Sequence, residues 1–125
     1  MDFFRRRKIL KRLNFLEATP FRTCEHVEGE GGKVSVQVPK FRNDKVSRFM
    51  LGNRPRYFLV HLDEMGSFVW LQIDGKRQVG EICDIISEKH DLNPDEAVER
   101  VTKFLTQLYE QRYLSFIEIT DSEIK

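Results

Sequence analysis

The sequence predicts an α+β fold, an N-terminal three-stranded antiparallel β-region followed by a three-helix bundle. Three observations predict it. Residues 33–41 alternate between apolar and polar side chains, the period of a half-buried strand. Residues 56–62 are dense in aromatic and β-branched types, which favour strands. From Asp63 onward apolar residues recur at helical spacing in three segments separated by stop signals.

The elements follow in order. Ile9, Leu13 and Leu16 stand at helical spacing among arginines, so residues 1–19 read as a short basic helix or tail, ended by Thr19-Pro20. Phe21 to Val27 is a first extended run. Lys33 to Phe41 is a second, with Val34, Val36 and Val38 on one face and Lys33, Ser35 and Gln37 on the other. The glycine-rich stretch Glu28 to Gly32 suits the hairpin turn between them. Pro39 puts the second strand near its end or at an edge. Residues 42–55 form a basic link closing on Gly52-Asn53-Arg54-Pro55, a turn signal. Arg56 to Leu62 then reads as the third strand, expected to be the most buried.

Asp63 is placed to cap the first helix, whose face is Leu62, Met65, Val69 and Ile73. Gly66 permits close approach and Trp70 is expected at the border. Asp74-Gly75 stops this helix. The second runs from about Val79 to His90, with Val79, Ile82, Cys83, Ile85 and Ile86 apolar. Asn93-Pro94 opens the third, as cap and first helical residue. Its stripe is Ala97, Val98, Val101, Phe104, Leu105 and Leu108, running to about Arg112. Tyr113 to Ile119 can add a short final strand. The domain boundaries read as residues 1–19, a single domain over 20–119, and an acidic tail over 120–125.

Composition limits the function. With 21 Lys plus Arg against 20 Asp plus Glu, the chain as a whole offers no electrostatic reason for an acidic partner. The basic charge gathers at the N-terminus, where Arg5, Arg6, Arg7, Lys8, Lys11 and Arg12 face only Asp2. Cys24 and Cys83 are far apart and show no metal-ligand spacing; Cys83 lies in an apolar helical run and reads as a buried free thiol. No run resembles a secretory signal core, and none approaches the roughly 20 apolar residues that span a bilayer. A cytoplasmic location is expected.

Catalysis needs convergent nucleophile, acid–base or metal groups. His90 reads as a solvated or helix-end residue, and His61 as a structurally satisfied imidazole in an apolar strand. Cys24, Glu25, His26 and Glu28 could offer some ligands from one strand, but without the paired spacing of zinc sites. Asp95 and Glu96 complement the dipole of the third helix. The glycines at 29, 31 and 32 are followed by no Lys-Ser/Thr and no helix, so a phosphate loop is not expected. The chain is therefore expected not to be an enzyme, with no cofactor and no metal.

The succession from Tyr57 to Phe116 resembles the PqqD family of pyrroloquinoline quinone biosynthesis. The residues that carry the resemblance are Leu62-Asp63-Glu64-Met65-Gly66, Val69-Trp70, Ile73-Asp74-Gly75, Val79 to Ile82, Phe104-Leu105 and Tyr113-Leu114. The extension over residues 1–19 and the basic link over 42–55 depart from the family pattern. The resemblance implies a winged-helix-like, peptide-recognising domain. It would bind the leader of a ribosomally made precursor peptide and present it to a radical S-adenosylmethionine enzyme. On that reading, a leader strand enters between the third strand and the third helix. Tyr57, Phe58, Leu59, Val60 and His61 would offer the pairing edge, with Arg100, Lys103, Phe104 and Gln107 on the other wall. The plain alternative makes Phe104 core, and Arg100 and Lys103 solvated. Two other functions stay open: a winged-helix nucleic-acid binder, disfavoured by the acids of the third helix, and a scaffold in which residues 1–19 dimerise the protein or touch a membrane.

Overall fold

The computed structural model describes residues 14–39 and 57–119. Within them lie β1 (Pro20–Arg22), β2 (Glu25–Glu28), β3 (Val34–Pro39), β4 (Tyr57–His61), α1 (Glu64–Gln72), α2 (Val79–Lys89), α3 (Pro94–Glu110) and β5 (Leu114–Phe116), after which residues 117–119 are helical, so the expected final strand stops at Phe116. The fold is α+β with antiparallel sheets, in keeping with a winged-helix-like arrangement. The expectations for residues 1–13, the basic link, the end of the second strand beyond Pro39 and the acidic tail lie outside the described residues. Of the N-terminal segment, the described part is a 3-10 turn at Phe15–Glu17 followed by extended backbone at Ala18.

The main sheet has the order β2-β3-β4. Its hairpin closes where the Gly29 amide donates to the Lys33 carbonyl at 2.7 Å, across a 3-10 turn at Glu30–Gly32. β3 is the central strand, and Val34 and Val36 are buried on its inner face. Two expectations about strands are corrected. Phe21 to Val27 is not one strand: it divides at Thr23 and Cys24 into β1 and β2, which belong to different sheets. The cause is Thr23, whose amide donates to the Tyr113 carbonyl at 3.0 Å and whose hydroxyl donates to the Arg112 carbonyl at 2.8 Å. These bonds draw the chain toward β5, which pairs with β1. The second correction concerns β4. Tyr57, Phe58 and Leu59 are about half exposed, at 47%, 56% and 50%, so the strand expected to be the most buried is largely open. It lies at the sheet margin, and α1 leaves it directly to pack beneath β3.

The helices begin and end for local reasons. The Asp63 carboxylate accepts from the Gly66 amide at 2.7 Å, capping α1. Gly75 sits at φ +77°, a left-handed conformation that glycine adopts without strain, so the chain turns there. At the start of α2 the Gln78 amide donates to the Glu81 carboxylate. Asn93 caps α3 through a bond from the Asp95 amide, with Pro94 at the first helical position. α2 and α3 end alike. Asp91 and Arg112 take left-handed φ of 52° and 68°, and the next amides, of Leu92 and Tyr113, reach back to Ser87 and Leu108. That is the six-to-one closure usually made by glycine.

The core lies between these helices and the inner faces of both sheets. Val69, Trp70, Ile73, Val79, Ile82, Ile86, Val101, Leu105, Tyr109, Leu114 and Phe116 are all buried. Trp70 is fully buried rather than bordering: the His26 ring of β2 stands edge-on to it, with centroids 6.1 Å apart. Cys83 is a free thiol in this core, and burial pushes it up to about 11.

Candidate functional site

The edge of β4 is defined by backbone geometry. In an antiparallel pair, residues alternate between those bonded to the neighbour and those facing away. The Leu62 amide donates to the Val34 carbonyl at 2.9 Å, and the register sets Val60 opposite Val36 and Phe58 opposite Val38. The even-numbered residues of β4 therefore spend their backbone groups on β3. Tyr57, Leu59 and His61 direct theirs outward, to the side where no strand stands among the described residues. Ser67 closes the ladder's end: the Val34 amide donates to its hydroxyl at 2.8 Å, and that hydroxyl donates to the Leu62 carbonyl at 3.4 Å.

Side chains divide the same way. Tyr57, Leu59 and His61 share the outer face with Pro39, Gln37 and Ser35, their register partners. The Ser35 hydroxyl and His61 Nδ1 lie 2.7 Å apart, so His61 is a satisfied imidazole at the surface. Phe58 and Val60 share the inner face with Val38 and Val36.

A pocket of about 130 Å³ opens between α1 and α3, lined by Asp63, Met65, Gly66, Val69, Arg100, Val101 and Phe104. It begins two residues beyond the end of β4. Gly66 creates it: a Cβ there would stand 2.9 Å from Asp63 Oδ1 and 3.2 Å from Phe104 Cζ. Only glycine lets the Phe104 ring lie this close to α1. The volume falls below that of ordinary cofactor sites and suits a single side chain. At its mouth stand the Asp63 carboxylate, engaged in capping, and the Arg100 guanidinium, 2.9 Å from Glu96.

Of the nine residues the sequence singles out, Arg100 and Phe104 line this pocket. Phe104 is half-buried, packed against the core, while Lys103 and Gln107 are exposed on the outer flank of α3. Tyr57 to His61 lie on the strand edge and do not line the pocket. Met65, Gly66, Val69 and Val101 belong to it although sequence reasoning counted them as packing residues; the glycine five residues after His61 was the available signal. Among the described residues, no three of His, Cys, Asp and Glu gather as a metal site. No described helix is long and apolar enough to cross a membrane.

One comparison with known proteins gives a match. The family model described as coenzyme PQQ synthesis protein D (PqqD) matches residues 53–114, a span that includes β4, α1, α2, α3 and the start of β5. No curated protein and no solved structure matches the chain. Over the matched span, which holds both the strand edge and the pocket, the chain is PqqD-like.

Proposed function

We propose that this protein is a peptide-binding module that takes the leader of a ribosomally made precursor peptide as an added strand along β4. It then offers that peptide to a radical S-adenosylmethionine enzyme. One observation carries the reading: Tyr57, Leu59 and His61 turn their backbone groups outward from a sheet margin whose side chains are half exposed. An extended guest gains main-chain hydrogen bonds there, and its alternate side chains meet either the outer face or the inner side of Phe58 and Val60. A guest that runs past His61 reaches the pocket between α1 and α3, where one apolar side chain fits against Met65 and Phe104. Arg100 and Lys103 on the flank of α3 favour an acidic neighbour in the guest. The described chain N-terminal to β1 leaves this edge alone. The Phe15 ring packs on Phe116, and the Val79 amide bonds the Ala18 carbonyl, so the arm runs along α2 and β5.

The reading assigns no catalytic role to the chain; chemistry falls to the partner enzyme. The test is a titration of the leader of the pyrroloquinoline quinone precursor peptide, followed by amide NMR and calorimetry. Binding should move the Leu59 and His61 amides most. Lys103→Glu should weaken an acidic leader while the protein stays folded. Shifts confined to α2, or none anywhere, would exclude the strand-addition reading.

A further inference from the structure

We propose that residues 1–19 bind the surface of an anionic lipid bilayer and hold the domain there. The basic stretch that the peptide reading leaves unused argues for it. Arg5, Arg6, Arg7, Lys8, Lys11 and Arg12 stand against Asp2 and Glu17 in this segment. The chain as a whole carries 21 bases and 20 acids, so the remainder is net acidic. A negative surface therefore attracts this segment and turns the rest of the molecule away. Each basic residue near such a surface strengthens binding about fivefold. Apolar side chains are interleaved with the charges: Phe3, Phe4, Ile9, Leu10 and Leu13. Bases that meet headgroups, beside apolar groups that enter the acyl boundary, make the pattern of an interfacial anchor.

The described end of the segment continues that pattern. Residues 15–19 are fastened to the start of α2 and to the end of β5. The Phe15 ring meets Phe116 edge-on with centroids 5.5 Å apart, and the Val79 amide donates to the Ala18 carbonyl at 2.9 Å. The Thr19 amide and hydroxyl both donate to the Glu118 carboxylate. A Cβ on Gly80 would stand 3.2 Å from the Leu16 carbonyl oxygen, so this glycine lets the segment lie close against α2. On this seat Leu16 and Ile117 remain 41% and 39% exposed. The Ile117 amide donates to the Thr19 carbonyl at 3.0 Å, which sets both side chains where the segment joins the domain. They offer a bilayer further apolar contact next to the charges. None of these partners belongs to β4 or to the pocket, so an anchored molecule keeps its strand edge open. A nucleic acid would use the bases but give the interleaved apolar residues no partner. A second copy would bring like charges together. The anchor stands without the peptide reading.

Co-sedimentation of the full chain with lipid vesicles tests it. The protein should travel with vesicles of equal parts phosphatidylserine and phosphatidylcholine, and stay in solution beside phosphatidylcholine alone. It should leave the mixed vesicles as salt is raised. Lys8→Gln together with Lys11→Gln should weaken binding about twentyfold. Leu16→Ser and Ile117→Ser, both at exposed positions, should each weaken it about threefold or more while the thermal melt stays nearly unchanged. No binding to the mixed vesicles at low salt, equal binding to phosphatidylcholine alone, or Leu16 and Ile117 variants that bind like the wild type would each overturn the proposal. So would a protein that ignores vesicles but is retained by duplex DNA, or one that uses this segment only to dimerise. Leader affinity in solution should be the same for all these variants, so loss of vesicle binding and loss of leader binding are read separately.

Discussion

β3 and β4 are neighbours in one sheet, and their burial runs opposite to their composition. β3 alternates valine with Ser and Gln, yet Val34 and Val36 are almost wholly buried. β4 reads Tyr-Phe-Leu-Val-His and leaves its first three residues about half exposed. Burial is decided by what lies on each face and each edge, and among the described residues β3 alone has a strand on both sides. Apolar character that the fold does not use for its own core is available for another chain. The two strands therefore differ in role: β3 holds the domain together, and β4 presents a surface.

The largest expected effect tests that division directly. Val36→Asp places an unpaired charge in the core and should cost about 4 kcal/mol or more, enough to unfold much of the population. Leu59→Asp should change stability by less than about 0.5 kcal/mol, as an exposed substitution does. Chemical denaturation of both variants measures the contrast. Equal losses would mean that β4 is core after all.

A backbone version separates the two sides of β4. Proline at Val60 removes an amide that bonds β3 and should cost about 3 kcal/mol. Proline at Leu59 removes only an outward amide, so its stability loss should be much smaller, and yet leader binding should be lost. Stability and binding measured on the same pair decide the issue. If Leu59→Pro unfolds the protein as Val60→Pro does, the alternation of inward and outward groups is misassigned.

Ser67 lies between the two strands' ends and gives a smaller effect. Ser67→Ala takes away the acceptor of the Val34 amide, a buried group, and should cost about 1–3 kcal/mol. Amide exchange should quicken first at Val34, because its donor is then left without a partner.

What could be read from the sequence was mostly local. Asp63, Asn93-Pro94 and Asp74-Gly75 mark helix ends through bonds and backbone preferences spanning a few residues, and each does so in the structure. The alternation of residues 33–41 marked β3 for the same reason. What failed to show was long-range. The division of Phe21 to Val27 depends on Thr23 meeting Arg112 and Tyr113, far along the chain. Trp70 is buried within a core drawn from several elements and meets the His26 ring of β2, far back in the chain. The openness of β4 is a property of sheet order, and residue types alone pointed the other way. The pocket was half visible: Gly66 signalled close approach, but its partner Phe104 lies on another helix.

The core beneath the sheet supplies a pH counterpart to this comparison. Cys83 keeps its proton up to about 11 when buried, against an ordinary value of 9.0. An unfolded chain releases that proton first, so stability is fully present below about 9 and falls as pH rises toward 11. Cys83→Ala should flatten this alkaline decline, while Leu59 variants should keep it. Thermal melts across pH 8 to 11 would show a parallel fall in both proteins if another group is responsible.

The smallest effect expected concerns a helix stop. Asp91 closes α2 at φ 52°, a conformation that costs a side-chain-bearing residue about 1 kcal/mol and glycine little. Its amide neighbour Leu92 still reaches Ser87, so the closure survives substitution. Asp91→Gly should therefore stabilise the protein by a few tenths to about 1 kcal/mol, less the entropy that glycine adds to the unfolded chain. Because α2 lies away from the β4 edge, leader affinity should not move with it. A gain in melting temperature accompanied by altered binding would mean that the helices and the edge are coupled, and the separation of core from presenting strand would have to be given up.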